Sequence, residues 1–174
     1  MKTKGLPEVT ERFVLHWGEM GVRWGINRTV AQVHALLYLS PDPIHAEAIC
    51  ETLEVARSNV STSLKELQGW GLVRLVHVRD DKRDHFEALT DVWEMFRRIA
   101  DERKRTEIDP TRALLRECLS APRELDPLTR ERLAAMGDFF ESTTGWYEQA
   151  SKWPPATLRR LFRLGDKLLK FVGG

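Results

Sequence analysis

The side chains with the clearest chemical potential lie together in the segment from Arg57 to Leu67. Its apolar residues Val60, Leu64 and Leu67 are spaced four and three apart, which places them on one face of a helix. The opposite face then carries hydroxyls, an amide and two cations, and such groups bond to base edges and phosphates of duplex DNA. This polar face consists of Arg57, Ser58, Asn59, Ser61, Thr62 and Lys65.

The polar face could also belong to an ordinary solvated helix. Such a helix usually carries more Glu and Lys, because Ser and Thr are mediocre helix formers. Small residues allow a helix to enter a DNA major groove about 12 Å wide. The composition of the polar face therefore favours a helix that contacts DNA over a helix without a partner.

A second cluster of cations follows, around a polar turn. The segment from Leu72 to Arg79 is rich in β-branched and large apolar residues and predicts a strand, and residues 84–89 predict a returning strand. The tip of this hairpin could reach phosphates or the minor groove, although three aspartates in the same region also fit an exposed, charge-balanced turn. The hairpin cations are Arg79, Lys82 and Arg83.

The surrounding elements are predicted in the order of a winged helix-turn-helix. A helix over residues 8–24 and a second after Asn27 precede a short helix over residues 45–53. Three residues separate this short helix from the helix with the polar face, which is the length of a tight helix-turn-helix connection. The hairpin and a helix to about Arg105 follow. We therefore predict a mainly α fold with a small β-hairpin.

The C-terminal part is predicted to be a helical dimerisation region. Pro110 marks a boundary, and helices are predicted over residues 111–119, 127–151 and 156–172. Together with the first helix this gives a predicted division into residues 1–26, a scaffold and dimer helix; 27–106, the winged helix-turn-helix; and 107–174, the dimerisation region. The expected contact residues of the long helix are Leu133, Met136, Phe140, Thr143, Tyr147 and Ala150, and those of the last helix are Leu158, Leu161, Phe162, Gly165, Leu168 and Leu169.

The composition narrows the class of function. The 174 residues are 42% hydrophobic and lack both a signal-peptide pattern and an apolar run of membrane-spanning length, so we expect a cytoplasmic protein without a membrane partner. Cys50 and Cys118 lie far apart, and the five histidines show no metal-ligand spacing with them. There is no glycine-rich phosphate loop and no nucleophile elbow. We therefore expect no metal, no cofactor and no enzymatic activity.

The net charge of +1 does not by itself indicate a nucleic-acid partner. Residues 1–90 carry 11 basic and 12 acidic side chains, so the charge is also evenly spread. A DNA-binding surface must then be a local arrangement of cations. The alternative that this balance favours is a winged-helix protein-interaction module that does not bind DNA.

The sequence of residues 57–73, followed by residues 81–88, resembles the GbsR branch of the MarR-like transcriptional regulators. The segments 13–25 and 91–93 resemble it too, so the resemblance covers about residues 8–105. It implies a homodimeric winged-helix protein, usually a repressor, whose polar face and hairpin cations bind a pseudo-palindromic operator in double-stranded DNA. Ala56 departs from the pattern, because such proteins often have a capping Ser or Thr there, unless Ser58 caps the helix instead.

The six tryptophans raise the question of a small effector. Aromatic rings attract quaternary ammonium groups by cation–π interaction. Members of the GbsR branch are associated with choline and glycine betaine metabolism, so one hypothesis is a choline-like or betaine-like effector between the winged helix and the helical scaffold. Its expected contacts are Trp17, Trp24 and Trp93; the other hypothesis is that these rings form a dry core.

Overall fold

The computed structural model describes residues 5–120, 125–154, 156–157 and 160. The chain divides into two compact units, residues 1–98 and 99–174, and the division falls within one helix. The helices in the described part are α1 (Glu8–Arg23), α2 (Arg28–Leu39), α3 (Ala46–Leu53), α4 (Arg57–Gly69), α5 (Val92–Arg103), α6 (Asp109–Ser120) and α7 (Pro127–Ala150). The strands are β1 (Ile44–His45), β2 (Val73–Val76) and β3 (His85–Ala88).

Local capping fixes the start and end of the helices in the first unit. The Asn27 side chain accepts a hydrogen bond of 2.8 Å from the Thr29 amide at the start of α2. At the start of α3, His45 Nδ1 accepts one of 3.2 Å from the Ala48 amide. Glu54, with a φ of 52°, ends α3 in the left-handed conformation. These caps produce the tight connection between α3 and α4 that the sequence predicts.

Helix α2 forms the centre of the first unit, where residues 30–37 are all buried. It is approached closely by α1 at Gly21, where a Cβ atom would lie only 2.6 Å from the Cβ of Ala31. The core around α2 includes Val14 of α1, Ile49 and Leu53 of α3, and Val60, Leu64 and Leu67 of α4. The predicted apolar stripe of α4 is therefore confirmed as its inward face.

The three strands form one antiparallel sheet in the order β1-β3-β2. Phe86 of β3 lies between Ile44 of β1 and Leu75 of β2, and His45 lies opposite His85. The predicted hairpin of β2 and β3 is present, although β2 ends at Val76, three residues before the predicted end at Arg79. Strand β1 was not expected, because a strand of two residues has no periodicity to detect. With this small sheet on a mostly helical chain, the predicted fold class is confirmed.

The sequence predicts a boundary at Pro110, but the helical structure continues through this residue. A π-helical turn over Lys104–Ile108 joins α5 to α6, so residues 92–120 are helical throughout. Proline has no amide hydrogen to donate, and its ring disturbs the carbonyl four residues earlier in a regular helix. Here Pro110 lies in the first turn of α6, directly after a turn with wider hydrogen bonding, where both effects are tolerated.

Helix α7 packs on α6 through a polar network. Glu141 accepts hydrogen bonds from Arg112 and Arg116, and these two guanidinium groups lower the pKa of Glu141 to about 2. Lys104 Nζ lies 3.0 Å from Asp109 and 3.1 Å from Glu148. The side of α7 that carries Glu141 and Glu148 therefore faces α6 and the π turn.

The contact residues expected on α7 differ in environment. Met136 and Thr143 are exposed, Leu133, Phe140 and Tyr147 are half-buried, and Ala150 is buried. Part of that set therefore packs within the chain's own second unit, and the role of these residues in a dimer stays a prediction. The exposed apolar face of α7 instead consists of Leu128, Met136, Phe139 and Trp146. The stripe expected in the last helix, Leu158 to Leu169, lies outside the described residues.

No helix in the described part of the chain combines the length and the apolar character that crossing a membrane requires.

Candidate nucleic-acid interface

All six residues of the polar face are exposed on α4. Their exposure follows from the burial of Val60, Leu64 and Leu67, since residues on opposite faces of a helix are separated by the rotation of about 100° per residue. The face offers three hydroxyls, one amide and two cations on a helix that no other described element covers there. Its predicted geometry is thus confirmed.

The amino-terminal end of α4 lacks a side-chain cap. Ala56 occupies the N-cap position and has no acceptor to offer, and no hydrogen bond from Ser58 replaces it among the described residues. The first amides of a helix have no partner within the helix and carry partial positive charge. The start of α4 can therefore receive a phosphate oxygen beside Arg57.

An open groove of about 460 Å³ lies between α4, the start of α3 and the hairpin. It brings Arg57, Ser61 and Lys65 of the polar face next to Arg83 of the hairpin. The groove is also lined by Glu47, Gln68 and Asp84, which the sequence did not place at this surface. Gln68 lies three residues after Lys65, which lies four residues after Ser61, so helical periodicity could have placed Gln68 on the same face.

The hairpin cations lie in two different situations. Arg79 and Lys82 are exposed at the turn, where Asp80 adopts a left-handed φ of 65°. The Arg83 guanidinium is held by the Asp81 carboxylate, with Nε 2.9 Å from Oδ1, and the Arg83 amide donates to the same carboxylate at 3.0 Å. These bonds hold the pKa of Asp81 well below its usual range. A phosphate would have to compete with Asp81 for Arg83.

Two histidines connect the hairpin to the helix pair. Buried His85 directs Nδ1 at the Arg83 carbonyl oxygen, 2.9 Å away, and Nε2 at Asp81, 3.5 Å away. Its ring meets the ring of His45 edge to face with centroids 5.4 Å apart. Since His45 also caps α3, the position of the hairpin is tied to the helix that precedes α4.

Comparison with known proteins agrees with this architecture. The family model described as the MarR family matches residues 24–84, which contain α2 to α4 and the hairpin as far as Asp84. A solved structure described as a transcriptional regulator is 20% identical and has a TM-score of 0.67, over 82% of this chain and 95% of its own. This chain has the winged-helix fold of the MarR family.

Two further comparisons carry no argument about the fold. A mutant of MepR from a multidrug-resistant S. aureus clinical isolate is 17% identical, with a TM-score of 0.38 over 78% of this chain and 91% of its own. No curated protein matches this chain significantly.

In MarR-fold terms, α4 is the second helix of the helix-turn-helix and the β2–β3 hairpin is the wing. The two predicted sets of site residues therefore lie on the two elements with which a winged helix contacts DNA. Arg57 and Arg83 share one groove with Lys65, while Ser58, Asn59 and Thr62 extend the polar face outside it. Arg79 and Lys82 lie further out, at the tip of the wing.

The tryptophans of the expected effector site are placed as follows. The ring of Trp17 meets that of Trp24 edge to face at 6.1 Å and stacks on Phe13 at 5.5 Å. Trp24 is exposed, and Trp93 is half-buried in the first turn of α5, where its amide donates to Asp91. An effector at these rings stays a prediction.

The described part of the chain contains no group of three or more metal-ligating side chains. Cys50 and Cys118 are both free thiols and half-buried. Burial raises the pKa of the Cys50 thiol, which disfavours the reactive thiolate.

Proposed function

We propose that this protein is a sequence-specific DNA-binding transcriptional regulator of the GbsR branch, acting as a homodimer and as a repressor. The observation that carries the proposal is the groove in which the polar face of α4 meets the wing on a MarR-type winged helix. Its hydroxyl, amide and cationic groups match the base edges and phosphates of a major groove.

The two elements have different roles in this proposal. Helix α4 enters the major groove, where Ser58, Asn59 and Thr62 contact base edges and its uncapped start receives a phosphate. The wing places Lys82 and Arg83 against the flanking phosphates, which adds affinity without sequence information.

A gel-shift assay tests the proposal most directly. Genomic fragments, beginning with the region upstream of the protein's own coding sequence, are titrated with protein in the presence of unlabelled competitor DNA. Retardation of one fragment at competitor levels that release the others supports sequence-specific binding. Failure to retard any duplex at low salt supports the alternative, a winged-helix module that binds protein.

Changing Lys82 and Arg83 to alanine is expected to weaken binding to all duplexes equally. Each phosphate contact that is removed reduces the slope of log affinity against log salt by about 0.9. The matched control is R28A/R74A, which also removes two cations. Arg74 directly precedes Leu75, which lines the groove, and successive residues of a strand point to opposite faces, so Arg74 points away from the groove. Fluorescence anisotropy across a salt series measures the slopes, and a control that weakens as much as the wing variant would contradict the assignment.

We propose that the exposed apolar face of α7 forms part of the dimer interface. One recognition helix contacts too few base pairs for useful specificity, so a two-fold pair of winged helices is required. Contiguous exposed apolar side chains on a helix mark interaction sites. Met136, Phe139 and Trp146 provide such a surface, on the side of α7 away from Glu141 and Glu148.

Replacing Phe139 and Trp146 with glutamate is expected to give a monomer, because two charges would be buried at the interface without partners. Sedimentation velocity at micromolar concentration measures the oligomeric state, and the unmodified protein is expected to sediment as a dimer. The control S61E/Q68E adds the same charges at exposed polar positions of α4, outside the proposed dimer interface, and should stay dimeric. An unmodified protein that sediments as a monomer would refute the interface.

A further inference from the structure

The exposed guanidinium of Arg57 is already engaged by a carboxylate of its own chain. Glu47, in the first turn of α3, places Oε1 3.1 Å from Arg57 NH2. Its other oxygen, Oε2, lies 3.3 Å from His45 Nδ1. The Arg57 side chain is 78% exposed, so this contact does not result from burial in the core. Glu47 instead lines the groove of the proposed DNA interface, together with Lys65 and Arg83.

The negative charge of Glu47 is well maintained. A hydrogen bond to its own main chain at the start of α3 lowers its pKa most, and the Arg57 guanidinium lowers it further. A carboxylate in the first turn of a helix is also favoured by the helix dipole. Glu47 is therefore a fixed anion at a surface proposed to approach phosphates.

The rest of the chain does little to offset that anion. The sequence has 27 Lys and Arg against 26 Asp and Glu. Sequence-independent DNA affinity comes mainly from the release of counterions when cations meet phosphates. Because the general field of this protein is close to neutral, one carboxylate that occupies an arginine of the interface has a large relative effect.

We propose that Glu47 is a specificity-determining residue that acts through Arg57 by suppressing binding to non-operator DNA. This rests on the proposed function. On non-operator DNA, where phosphate contacts provide most of the affinity, Arg57 must leave the Glu47 carboxylate to reach a phosphate, so this contact gains little. At an operator, the base contacts of Ser58, Asn59 and Thr62 hold α4 in a position in which Arg57 stays paired with Glu47, so the pair costs no affinity there. Specificity is the difference between the two affinities, and Glu47 lowers the non-specific one more.

The test compares the full-length protein with E47Q, which keeps the shape of the side chain and removes its charge. Glu51 is exposed on the same helix and does not line the groove, so E51Q is the matched control. The probes are a duplex that the unmodified protein retards specifically and a scrambled duplex of equal length and composition. Anisotropy titrations of each probe between about 50 and 200 mM NaCl give the affinities and salt slopes.

We expect E47Q to raise affinity for the scrambled duplex about five-fold and to steepen its salt slope by about 0.9, the effect of one additional phosphate contact. Affinity for the specific duplex should change less than about two-fold, so that discrimination falls, and E51Q should match the unmodified protein. Equal affinities for E47Q and the unmodified protein, or an equal rise on both duplexes, would overturn the proposal.

A double-mutant cycle with R57Q shows whether the effect passes through Arg57. If Glu47 acts by occupying that arginine, adding E47Q to R57Q changes neither duplex affinity. A rise as large as in the unmodified background would overturn the proposal, because it would show direct repulsion between Glu47 and phosphate. Unmodified protein that binds no duplex at any salt would refute the proposed function itself, which is distinct from a failure confined to Glu47.

Discussion

Replacing Arg57, Thr62 and Lys65 together with alanine is expected to abolish sequence-specific DNA binding and leave the fold intact. All three side chains are exposed on α4, and the helix is held to the core by its opposite face. A well-formed base contact contributes about 1–3 kcal/mol of discrimination. Thr62 is one such contact, Lys65 adds a charge-assisted bond of about 1.5–3 kcal/mol, and loss of Arg57 leaves the Glu47 carboxylate unpaired beside the DNA. The triple change therefore reduces affinity for the specific duplex at least about 100-fold, since each 1.4 kcal/mol is about a factor of ten.

The measurement is an anisotropy titration of the specific duplex, with circular dichroism as the check on folding. The R28A/R74A control removes the same number of cations from the same unit, outside the polar face and wing tip, and should bind with nearly unchanged affinity. If the triple variant bound as tightly as the control, α4 could not be the helix that contacts DNA.

The parts of this interface that depend on periodicity could be predicted from the sequence. The spacing of Val60, Leu64 and Leu67 determines which residues of α4 face outward, because one buried stripe fixes the orientation of the whole helix. The hairpin followed from its β-branched residues and polar turn. Both features depend on residues that are close together in the sequence. In each element one side is buried, which leaves few possible orientations for the other side.

The ion pairs of the interface could not be predicted in the same way. Glu47 and Arg57 belong to different helices, and their contact depends on the left-handed Glu54 that turns the chain between them. The hold of Asp81 on Arg83 depends on the conformation of a short turn. From the sequence, these residues could only be counted as a balance of charges, whereas the structure shows that Arg57, Arg79 and Arg83 each lie within ion-pair distance of a specific carboxylate.

The orientation of α7 shows a further limit. The sequence spacing from Leu133 to Ala150 resembles a coiled-coil seam, which indicates an apolar strip but not what covers it. Contacts of Glu141 and Glu148 with residues 104–116 turn that strip partly toward α6. These polar contacts span long sequence separations, so the exposed face with Phe139 and Trp146 emerges only once the helices are packed.

Acidification from about pH 6.5 to pH 4 is expected to destabilise the protein through His34. This residue lies in α2 at the centre of the first unit and is buried, with its ring 6.3 Å from that of Tyr38. Its Nε2 has no hydrogen-bond partner among the described residues. Burial disfavours the charged imidazolium and lowers the pKa of His34 from 6.5 to about 4.

The direction of the effect follows from which state binds the proton. Above pH 6.5 the imidazole is neutral in both the folded and the unfolded chain, so His34 does not reduce the free energy of unfolding there. Between pH 6.5 and about 4 the unfolded chain binds a proton that the folded chain does not, so the free energy of unfolding falls as the pH falls. One pKa unit corresponds to about 1.4 kcal/mol, so the total loss from His34 is roughly 3 kcal/mol.

Urea unfolding of the unmodified protein and of H34M, at half-unit steps from about pH 7.5 to pH 4.5, measures this contribution. Methionine is a good helix former with an apolar side chain that adapts to irregular cores, so it replaces the ring without a titratable group. The carboxylates of the chain titrate in both proteins and cancel in the difference. The difference in unfolding free energy between the two proteins should therefore shift in favour of H34M as the pH falls below 6.5. A constant difference across the range would mean that His34 accepts its proton as readily in the folded core as in the unfolded chain.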